Sequence, residues 1–362
     1  MSKGKVIVGL SGGVDSAVAA LLLKDQGYEV TGVHMSVWDP TSTVPAGAST
    51  VPKRDACYCP GDTSDRDEAQ LLAQKIGIPF QVLDVSAEYS RAVLDYFSEE
   101  YGEGRTPNPC VACNQKIKFG ALLDKVTASG IAFDFFATGH YVKKHYLEKE
   151  KRHTLAMARD TSKDQTYFLY RLQQNQLEHC LFPLGDLLKT EVKAIAKSAN
   201  LGVEDKPESQ NFVNGDYSYL LKTPSLPGSF KTIDGTVLGQ HRGIAHYTVG
   251  QRKGLGLSSQ KPLYVLSIHK KDNVIIVGTE DQLAESQLTV CDLSWMATDA
   301  LREPRQLSAK IRYASPSAQA TIFPQDATHA TVRFSEQQRA ITPGQSVVFY
   351  EDTLLFGGGI IC

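Results

Sequence analysis

The sequence Gly9-Leu10-Ser11-Gly12-Gly13-Val14-Asp15-Ser16 decides the fold of this chain. An apolar β-branched run, residues 6–8, precedes it, and an apolar stretch without helix breakers, residues 17–23, follows it. This order predicts a strand, a tight loop and a helix. The loop then lies at a helix N-terminus, where unpaired N–H groups favour an anion. Two glycines let the backbone fold closely around that anion. The sequence therefore predicts a phosphate site.

The polar residues of the loop suit a nucleotide. Ser11 and Ser16 supply hydroxyl donors, and Asp15 is a candidate ligand for a magnesium ion held with the phosphates. The motif is neither a Walker A loop nor Gly-x-Gly-x-x-Gly. It resembles the PP-loop, the Ser-Gly-Gly-x-Asp-Ser signature of ATP pyrophosphatases. That resemblance implies cleavage of ATP between its α and β phosphates and transfer of AMP to a substrate.

Length and composition set limits on the chain. A length of 362 residues indicates two or three domains. The net charge of −2 places any nucleic-acid contact in local basic patches. No apolar run approaches ~18 residues, so no membrane span is expected. An odd count of cysteines, 7, without a secretion signal favours a reducing, cytoplasmic setting, in which close cysteine pairs are catalytic or bind metal.

Strand and helix signals alternate through residues 1–205. Strands are predicted at 29–35, 79–84 and 133–137, with helices at 67–76 and 87–101. Such alternation predicts an α/β fold with a Rossmann-like parallel sheet that binds ligands at the carboxyl ends of its strands. The glycine turn, the segment from Met35 and the run Thr138-Gly139-His140-Tyr141 are expected to meet there.

A second informative stretch, residues 104–119, contains a Cys-x-x-Cys pair after two prolines. The prolines predict an extended backbone that leads Cys110 and Cys113 into a helix start. The helix terminus, with Lys116 and Lys118, is expected to lower the pKa of a thiol there. Alone, the pair suits zinc, an iron–sulfur cluster, a redox pair or no function.

Another cysteine pair, Cys57 and Cys59, lies in a long loop at 38–63. Loops of this length are usually functional or mobile. One intervening residue is too tight for an easy disulfide, whereas both thiolates are able to meet one metal ion. Two loop cysteines without a special role are an equally good interpretation.

The remaining chain divides at about residue 282. Residues 206–282 lose helical periodicity and predict a small mixed domain, in which 235–271 contains several Lys, Arg and His residues but no acidic residue. Residues 283–362 alternate in short runs, at 287–290, 309–313, 320–323, 330–334 and 346–350, and predict an antiparallel β-barrel. Arg312 and Tyr313 suit stacking and phosphate contacts with single-stranded RNA.

Combined, these motifs resemble the family of tRNA-specific 2-thiouridylases. The resemblance rests on the glycine turn, Gly-Arg-Thr-Pro-Asn-Pro-x-x-x-Cys-Asn from Gly104, Ala-Thr-Gly-His-Tyr, and Ser-Lys-Asp-Gln-Thr-Tyr-Phe-Leu from Ser162. It continues at 250–256 and 342–346 and covers nearly the whole chain. It implies adenylation of the C2 oxygen of the wobble uridine and its replacement by sulfur.

The resemblance also implies roles for single residues. ATP is expected at residues 9–16, Met35 and Gly139, and the extruded uracil at Asn108, Pro109 and Cys110. Cys113 matches the catalytic cysteine. The positions matched to tRNA contacts are His140, Lys163, Asp164, Gln165, Arg252, Lys253, Arg312, Tyr313 and Gln345.

This chain departs from the family pattern in two places. Cys110 stands where many members have Asp, and residues 207–217 lack the second catalytic cysteine. One hypothesis makes Cys110 and Cys113 the redox pair. The other has both, together with Cys57 or Cys59, hold an iron–sulfur cluster.

The leading prediction is thus an ATP- and magnesium-dependent sulfurtransferase. Its partners are the anticodon loop of tRNA and a sulfur-donor protein or sulfide. A PP-loop ligase with a nitrogen nucleophile and a non-catalytic RNA-binding protein are the alternatives. Cys180, Cys291 and Cys362 match no catalytic motif and are predicted to be buried or incidental thiols.

Overall fold

The computed structural model describes residues 2–39, 56–60, 64–207, 211–213, 215–222 and 224–362. The chain forms two compact units. The first contains Met1–Ala92, Cys110–Tyr219 and Thr353–Leu355, and the second contains Val93–Pro109, Leu220–Asp352 and Phe356–Cys362. Residues 93–109 therefore group with later parts of the chain, although they precede residue 205. The boundaries at 205 and 282 stay predictions.

A parallel five-stranded sheet forms the centre of the first unit, as predicted. Its order is β3-β2-β1-β4-β7. The strands are β1 (Lys5–Gly9), β2 (Glu29–Ser36), β3 (Phe80–Asp84), β4 (Phe135–Ala137) and β7 (Cys180–Leu181). β1 pairs in parallel with β2 and β4, so the segments that follow these strands leave the sheet at one edge. The glycine turn lies at that edge.

Helices cover this sheet. Those of the first unit are α1 (Val14–Asp25), α2 (Ser64–Ile76), α3 (Ser86–Tyr89), α6 (Leu122–Ala128), α7 (Gln174–Glu178) and α8 (Lys189–Ser198). α4 (Tyr96–Gly102) belongs to the second unit, and α5 (Pro109–Ala112) begins at the boundary between the two units. The core combines apolar residues of β1 with the small, alanine-rich face of α1 and the apolar sides of α2 and α8. Burial of this apolar face, rather than helix propensity, holds α1 on the sheet.

Two helical regions contain π-helical turns. Ser90–Asp95 joins α3 to α4, and Cys113–Ala121 joins α5 to α6. The helix predicted at 87–101 is thus present, although it is not α-helical throughout. The π-helical turn that begins at Cys113 is notable, since such turns frequently occur at functional sites.

A hairpin completes the first unit. β5 (Val142–Leu147) pairs with β6 (Arg152–Met157), and Ala156 of β6 pairs with Leu354. Thr154 lies fully buried in this hairpin and donates a hydrogen bond to the Leu355 carbonyl at 2.6 Å.

The second unit contains two β-sheets. The smaller has the order β10-β11-β8-β9, with β8 (Gly228–Lys231), β9 (Val237–His241), β10 (Tyr264–His269) and β11 (Val274–Gly278). The larger runs β12-β15-β14-β13-β16-β17, and pairing of β12 with β17 closes it into a six-stranded barrel. Its strands are β12 (Ala284–Trp295), β13 (Arg305–Lys310), β14 (Ala318–Pro324), β15 (Ala330–Arg339), β16 (Ser346–Glu351) and β17 (Leu354–Ile361).

The barrel confirms the predicted fold of the C-terminal part, with two corrections. The strand expected at 309–313 ends at Lys310, and a turn follows. Cys291 and Cys362, predicted to be incidental thiols, form a disulfide. The pairing of β12 with β17 explains it, because the Cys362 amide donates to the Thr289 carbonyl at 3.0 Å and so lies beside Cys291.

Within the described residues, no helix is long and apolar enough to cross a membrane.

Candidate active site at the glycine turn and the thiols

The glycine turn joins β1 to α1 and makes different demands on its two central glycines. Gly12 has a φ of +77°, and a Cβ there would lie 2.8 Å from the Asp65 carbonyl oxygen. Gly13 has a φ of −95°, and a Cβ there would meet the Ser11 hydroxyl at 3.5 Å, an ordinary contact. Gly12 is therefore required by conformation and space, whereas Gly13 leaves room above the first turn of α1.

Ser16 holds the turn in shape. Its hydroxyl accepts a hydrogen bond from the Ser11 amide at 3.2 Å and donates to the Gly13 carbonyl at 3.1 Å. The Ser11 hydroxyl lies 3.2 Å from the Ser16 oxygen. The two serines thus cross-link the loop at the N-terminus of α1, where amide groups and the helix dipole favour phosphate.

Asp15 is held by the side chains of Lys189 and Tyr141. The ammonium of Lys189, the first residue of α8, lies 2.8 Å from each Asp15 carboxylate oxygen. The Tyr141 hydroxyl donates to one of these oxygens at 2.8 Å. Lys189 is buried, with only 8% of the residue exposed. Nothing in the local sequence marks this lysine, since 174 residues separate it from Asp15.

This arrangement does not fit a magnesium ion bound to Asp15. Both carboxylate oxygens already accept hydrogen bonds from a cation, and a second, divalent cation at the same oxygens would meet electrostatic repulsion. We therefore derive no step through such an ion.

Gly139 brings the end of β4 against the glycine turn. A Cβ at this position would lie 2.7 Å from the Asp15 carbonyl carbon and the Ser16 nitrogen, so only glycine permits the approach. Met35 lies half-buried near the end of β2 and pairs with Leu83. The predicted approach to the glycine turn is therefore confirmed for Gly139. The position of Met35 near the end of β2 is consistent with the same prediction.

His140, which the resemblance matches to a tRNA contact, is buried in the protein. The ring is buried, and its Nδ1 lies 2.7 Å from the Thr138 hydroxyl. Burial lowers the pKa of His140 well below its ordinary value, and the nearby Lys118 lowers it further. The imidazole is therefore neutral at pH 7, and its position argues against direct contact with phosphate.

The run Lys163-Asp164-Gln165 is largely turned inward. Asp164 is buried and accepts hydrogen bonds from the Ala158 amide at 3.1 Å and the Thr166 hydroxyl at 2.6 Å. The Gln165 side-chain carbonyl accepts from the Tyr141 amide at 2.9 Å. Asp164 and Gln165 thus shape the backbone around Tyr141, which leaves half-buried Lys163 as the cation of this run.

The thiols of the Cys-x-x-Cys pair are less acidic than the sequence predicted. Cys110 lies in α5, and Cys113 opens the π-helical turn. Burial raises the pKa of Cys110 to about 12 and that of Cys113 to about 11. Lys118 opposes both increases, whereas Lys116 is exposed. The prediction of a lowered thiol pKa is therefore wrong, because desolvation outweighs the positive charge of Lys118.

Cys57 acts electrostatically on these two thiols. Burial among protein atoms raises the pKa of Cys57, even though its side chain touches solvent. The charge on Cys57 in turn raises the pKa of Cys110 and of Cys113. Burial raises the pKa of Tyr219 to about 12, and the charge on Cys59 contributes to this increase.

An iron–sulfur cluster is not supported by this geometry. Across the part of the chain that the structure describes, no group of three or more His, Cys, Asp or Glu side chains is placed to hold a metal ion. We therefore derive no step through a cluster.

Asp65 and Lys118 connect the glycine turn with the thiols. The Asp65 carbonyl lies beside Gly12, and its carboxylate raises the pKa of Cys57. The positive charge of Lys118 lowers the pKa of Cys57 and of His140. His140 follows Gly139, the glycine that packs on the turn. The predicted phosphate site and the predicted sulfur site thus share neighbours within the first unit.

In the second unit, Gln345 fixes the turn that precedes Asn108. Its side-chain amide donates to the carbonyls of Thr106 at 3.1 Å and Pro107 at 2.9 Å. The Thr106 amide donates to the Pro343 carbonyl at 2.8 Å. Asn108 follows this turn, is buried, and has its amide 3.2 Å from the Tyr96 hydroxyl. Gln345 thus positions the segment that leads to Asn108.

Basic residues of the second unit are open to solvent. Arg252 and Lys253 are exposed, and Arg252 lines a polar cavity of about 380 Å³ together with Lys261. Tyr313 is 38% exposed, with the Lys310 ammonium 5.4 Å from its ring centre. The Arg312 guanidinium donates to the Arg339 carbonyl at 2.6 Å. An exposed ring beside cations is the arrangement expected for base stacking.

Three family profiles match the chain in succession. They are described as the tRNA methyl transferase HUP domain, at residues 4–214, the tRNA methyl transferase PRC-barrel domain, at 219–279, and the aminomethyltransferase beta-barrel domain, at 285–361.

The relatives that match over the full length are named tRNA-specific 2-thiouridylases, not tRNA methyl transferases. The tRNA-specific 2-thiouridylase MnmA of Acetivibrio thermocellus is 44% identical over 100% of both chains. Its namesake in Endomicrobium trichonymphae is 45% identical over 99% of this chain and 98% of the relative. The solved structure of NMN synthetase from Francisella tularensis has a TM-score of 0.33 and 16% identity, over 60% of this chain and 71% of that chain, which is too weak to carry an argument.

The matches to these relatives extend over nearly the whole length of this chain and of the relatives. The chain therefore belongs to the family of tRNA-specific 2-thiouridylases.

Proposed function

We propose that this protein uses ATP to replace the C2 oxygen of the wobble uridine of tRNA with sulfur. Full-length relatives at 44% and 45% identity, named for tRNA 2-thiouridylation, carry the proposal. The chemistry of the site agrees with it. A uracil oxygen is a poor leaving group, so it must be activated before a sulfur nucleophile can displace it.

The glycine turn serves the activation step. Backbone amides at the start of α1, with Ser11 and Ser16, hold the phosphates of ATP. Lys189 and Tyr141 fix Asp15 and therefore the first turn of that helix. The uridine oxygen attacks the α-phosphate, pyrophosphate leaves, and the oxygen becomes part of a good leaving group, AMP. A magnesium ion bound together with ATP would supply positive charge to its phosphates.

The sulfur step belongs to the thiols. Cys113 opens a π-helical turn, and we assign it the catalytic thiol. Asn108 and Cys110 lie on the same short segment and receive the extruded uracil. A sulfur-donor protein or sulfide supplies the sulfur atom. The thiols are neutral in the free protein because burial raises their pKa. Lys118 lowers the pKa of both and so favours their ionised form.

Binding of the anticodon loop is assigned to the open basic residues of the second unit. Arg252, Lys253 and Arg312 supply phosphate contacts, and Tyr313 supplies a stacking surface. Lys163 adds a cation on the first unit. Gln345 acts indirectly, through the turn before Asn108.

Mass spectrometry of the wobble nucleoside tests the proposal. In a strain that lacks this gene, 2-thiouridine should disappear from the tRNA and return when the gene is restored. The Cys113→Ala gene should not restore it. A strain without the gene that keeps its full content of wobble 2-thiouridine would refute the proposal, provided that no second copy of the gene is present.

A further inference from the structure

The resemblance implies two catalytic cysteines, and the sequence lacks one of them at residues 207–217. The structure shows which residue lies beside that segment. Ala56 forms a parallel bridge with Asn211, and the Cys57 amide donates to the Asn211 carbonyl at 2.8 Å. The Tyr58 amide donates to the Phe212 carbonyl at 2.9 Å. A loop cysteine thus lies against the backbone from which the expected cysteine is missing.

Aromatic rings hold this short segment in place. The Tyr58 ring stacks on Phe212, with centroids 6.3 Å apart and planes 17° from parallel. It also stacks on Tyr89 of α3, with centroids 5.6 Å apart and planes 19° from parallel. Tyr58 is 3% exposed, so burial of its ring stabilises the position of Cys57.

Tyr89 links Cys57 to the other two thiols. The ring of Tyr58, which follows Cys57 in the chain, stacks on Tyr89, and α3 packs against the π-helical turn that Cys113 opens. Burial raises the pKa of Tyr89, and the charges of Cys113, Cys57 and Cys110 raise it further. Among the three, Cys57 alone is exposed, so it is the thiol that an external sulfur donor reaches.

We propose that Cys57 carries the sulfur to be transferred and that Cys113 resolves the resulting disulfide. Cys57 then takes the place of the cysteine missing from residues 207–217. This inference rests on the proposed function.

The steps balance as follows. A persulfide donor passes its terminal sulfur to the Cys57 thiolate. The terminal sulfur of the Cys57 persulfide attacks C2 of the adenylated uridine, a C–S bond forms, and the C–O bond breaks as AMP leaves with the electron pair. The Cys113 thiolate then attacks Cys57 Sγ.

That attack breaks the bond between Cys57 Sγ and the uridine sulfur. The electron pair goes to the uridine sulfur, and the proton of the Cys113 thiol ends on N3 of the base, which gives 2-thiouridine. A disulfide between Cys57 and Cys113 forms, and an external dithiol reduces it before the next turnover.

Single-turnover reactions of the full-length protein test this. The protein receives tRNA, ATP and a low-molecular-weight persulfide, without dithiol. Peptide mass spectrometry of the wild type should find a persulfide on Cys57 before tRNA is added and a Cys57–Cys113 disulfide afterwards. A Cys110–Cys113 disulfide instead, or iron and sulfide bound in amounts equal to the active protein, would overturn the inference.

Variants separate this inference from the proposed function. Cys57→Ser should lose at least about 100-fold in thiolation while it still transfers AMP to tRNA, and Cys180→Ala, a buried thiol of β7, should match the wild type. Thiolation by Cys57→Ser at the wild-type rate would contradict the role of Cys57 alone. Absence of AMP transfer in the wild type would instead contradict the proposed function.

Discussion

Gly12 and Gly13 are neighbours in the motif, and only the structure separates their roles. The sequence identified the turn from its glycines, yet it could not show that a Cβ is excluded at one position and tolerated at the other. The reason is tertiary: the atom that excludes a side chain at Gly12 belongs to Asp65, on α2.

Gly12→Ala should therefore destabilise the protein more than Gly13→Ala. A positive φ and a 2.8 Å approach to a backbone oxygen make Gly12→Ala cost about 1–3 kcal/mol. Gly13→Ala, with its nearest contact at 3.5 Å, should stay within about 0.5 kcal/mol. Thermal unfolding of the two variants measures the difference, and equal losses would contradict the geometry.

Lys189 is the site residue that the sequence could not reveal. Its ammonium meets both oxygens of Asp15, and the two residues are joined only by the fold. Lys189→Ala should slow AMP transfer to tRNA about 30-fold, because a hydrogen bond to a charged group contributes about 2 kcal/mol.

Lys193→Ala, one turn further along α8 and exposed, is the matched control and should leave AMP transfer unchanged. If Lys189→Ala transfers AMP as fast as the control, the contact with Asp15 has no role in activation.

The thiol of Cys113 gives a pH prediction. With a pKa of about 11, less than about 1% of it is ionised at pH 8. Alkylation of Cys113 should therefore be slower than that of a free cysteine and should rise with pH up to about 11. Since burial favours the neutral thiol, its contribution to stability is full below the ordinary thiol pKa and is lost as the pH rises towards 11.

Lys118→Ala should raise the pKa of Cys113 further. An increase of about half a pKa unit would slow alkylation about threefold at fixed pH. Lys116→Ala, the exposed neighbour, should have no effect. Faster alkylation in Lys118→Ala would show that the sign of this electrostatic effect is wrong.

At the scale of elements, the sequence predicted the parallel sheet and the barrel because both rest on strong periodic signals. β2 is present from Glu29 to Ser36, where 29–35 was expected. The π-helical turns could not be predicted, since α- and π-helical turns differ by tertiary packing rather than by periodicity. The end of β13 at Lys310 was also missed, because the apolar pattern continues into the turn.

The loop that contains Gln345 gives a prediction for one such element. Gln345→Ala removes two hydrogen bonds to the turn at Thr106 and Pro107, worth about 1 kcal/mol each. KM for tRNA should rise about tenfold in steady-state thiolation, while KM for ATP should not change. Gln337→Ala, on the exposed side of β15, is the control, and an equal effect of both variants would remove Gln345 from tRNA recognition.

At the scale of the whole molecule, the family could be recognised from the order of several short motifs, each weak alone. The departures were readable too, since the absence of a cysteine from 207–217 is a fact of the sequence. Its consequence was not readable, because the nearness of Cys57 to Asn211 arises from a bridge between distant segments.

The central claim is that ATP makes the C2 oxygen of the wobble uridine a leaving group. A tRNA with ¹⁸O at C2 of that uridine tests it directly. During single-turnover thiolation, mass spectrometry should find one ¹⁸O atom in each AMP released and none in pyrophosphate. Unlabelled AMP, with ¹⁸O retained in the tRNA or released to water while 2-thiouridine forms, would contradict the account.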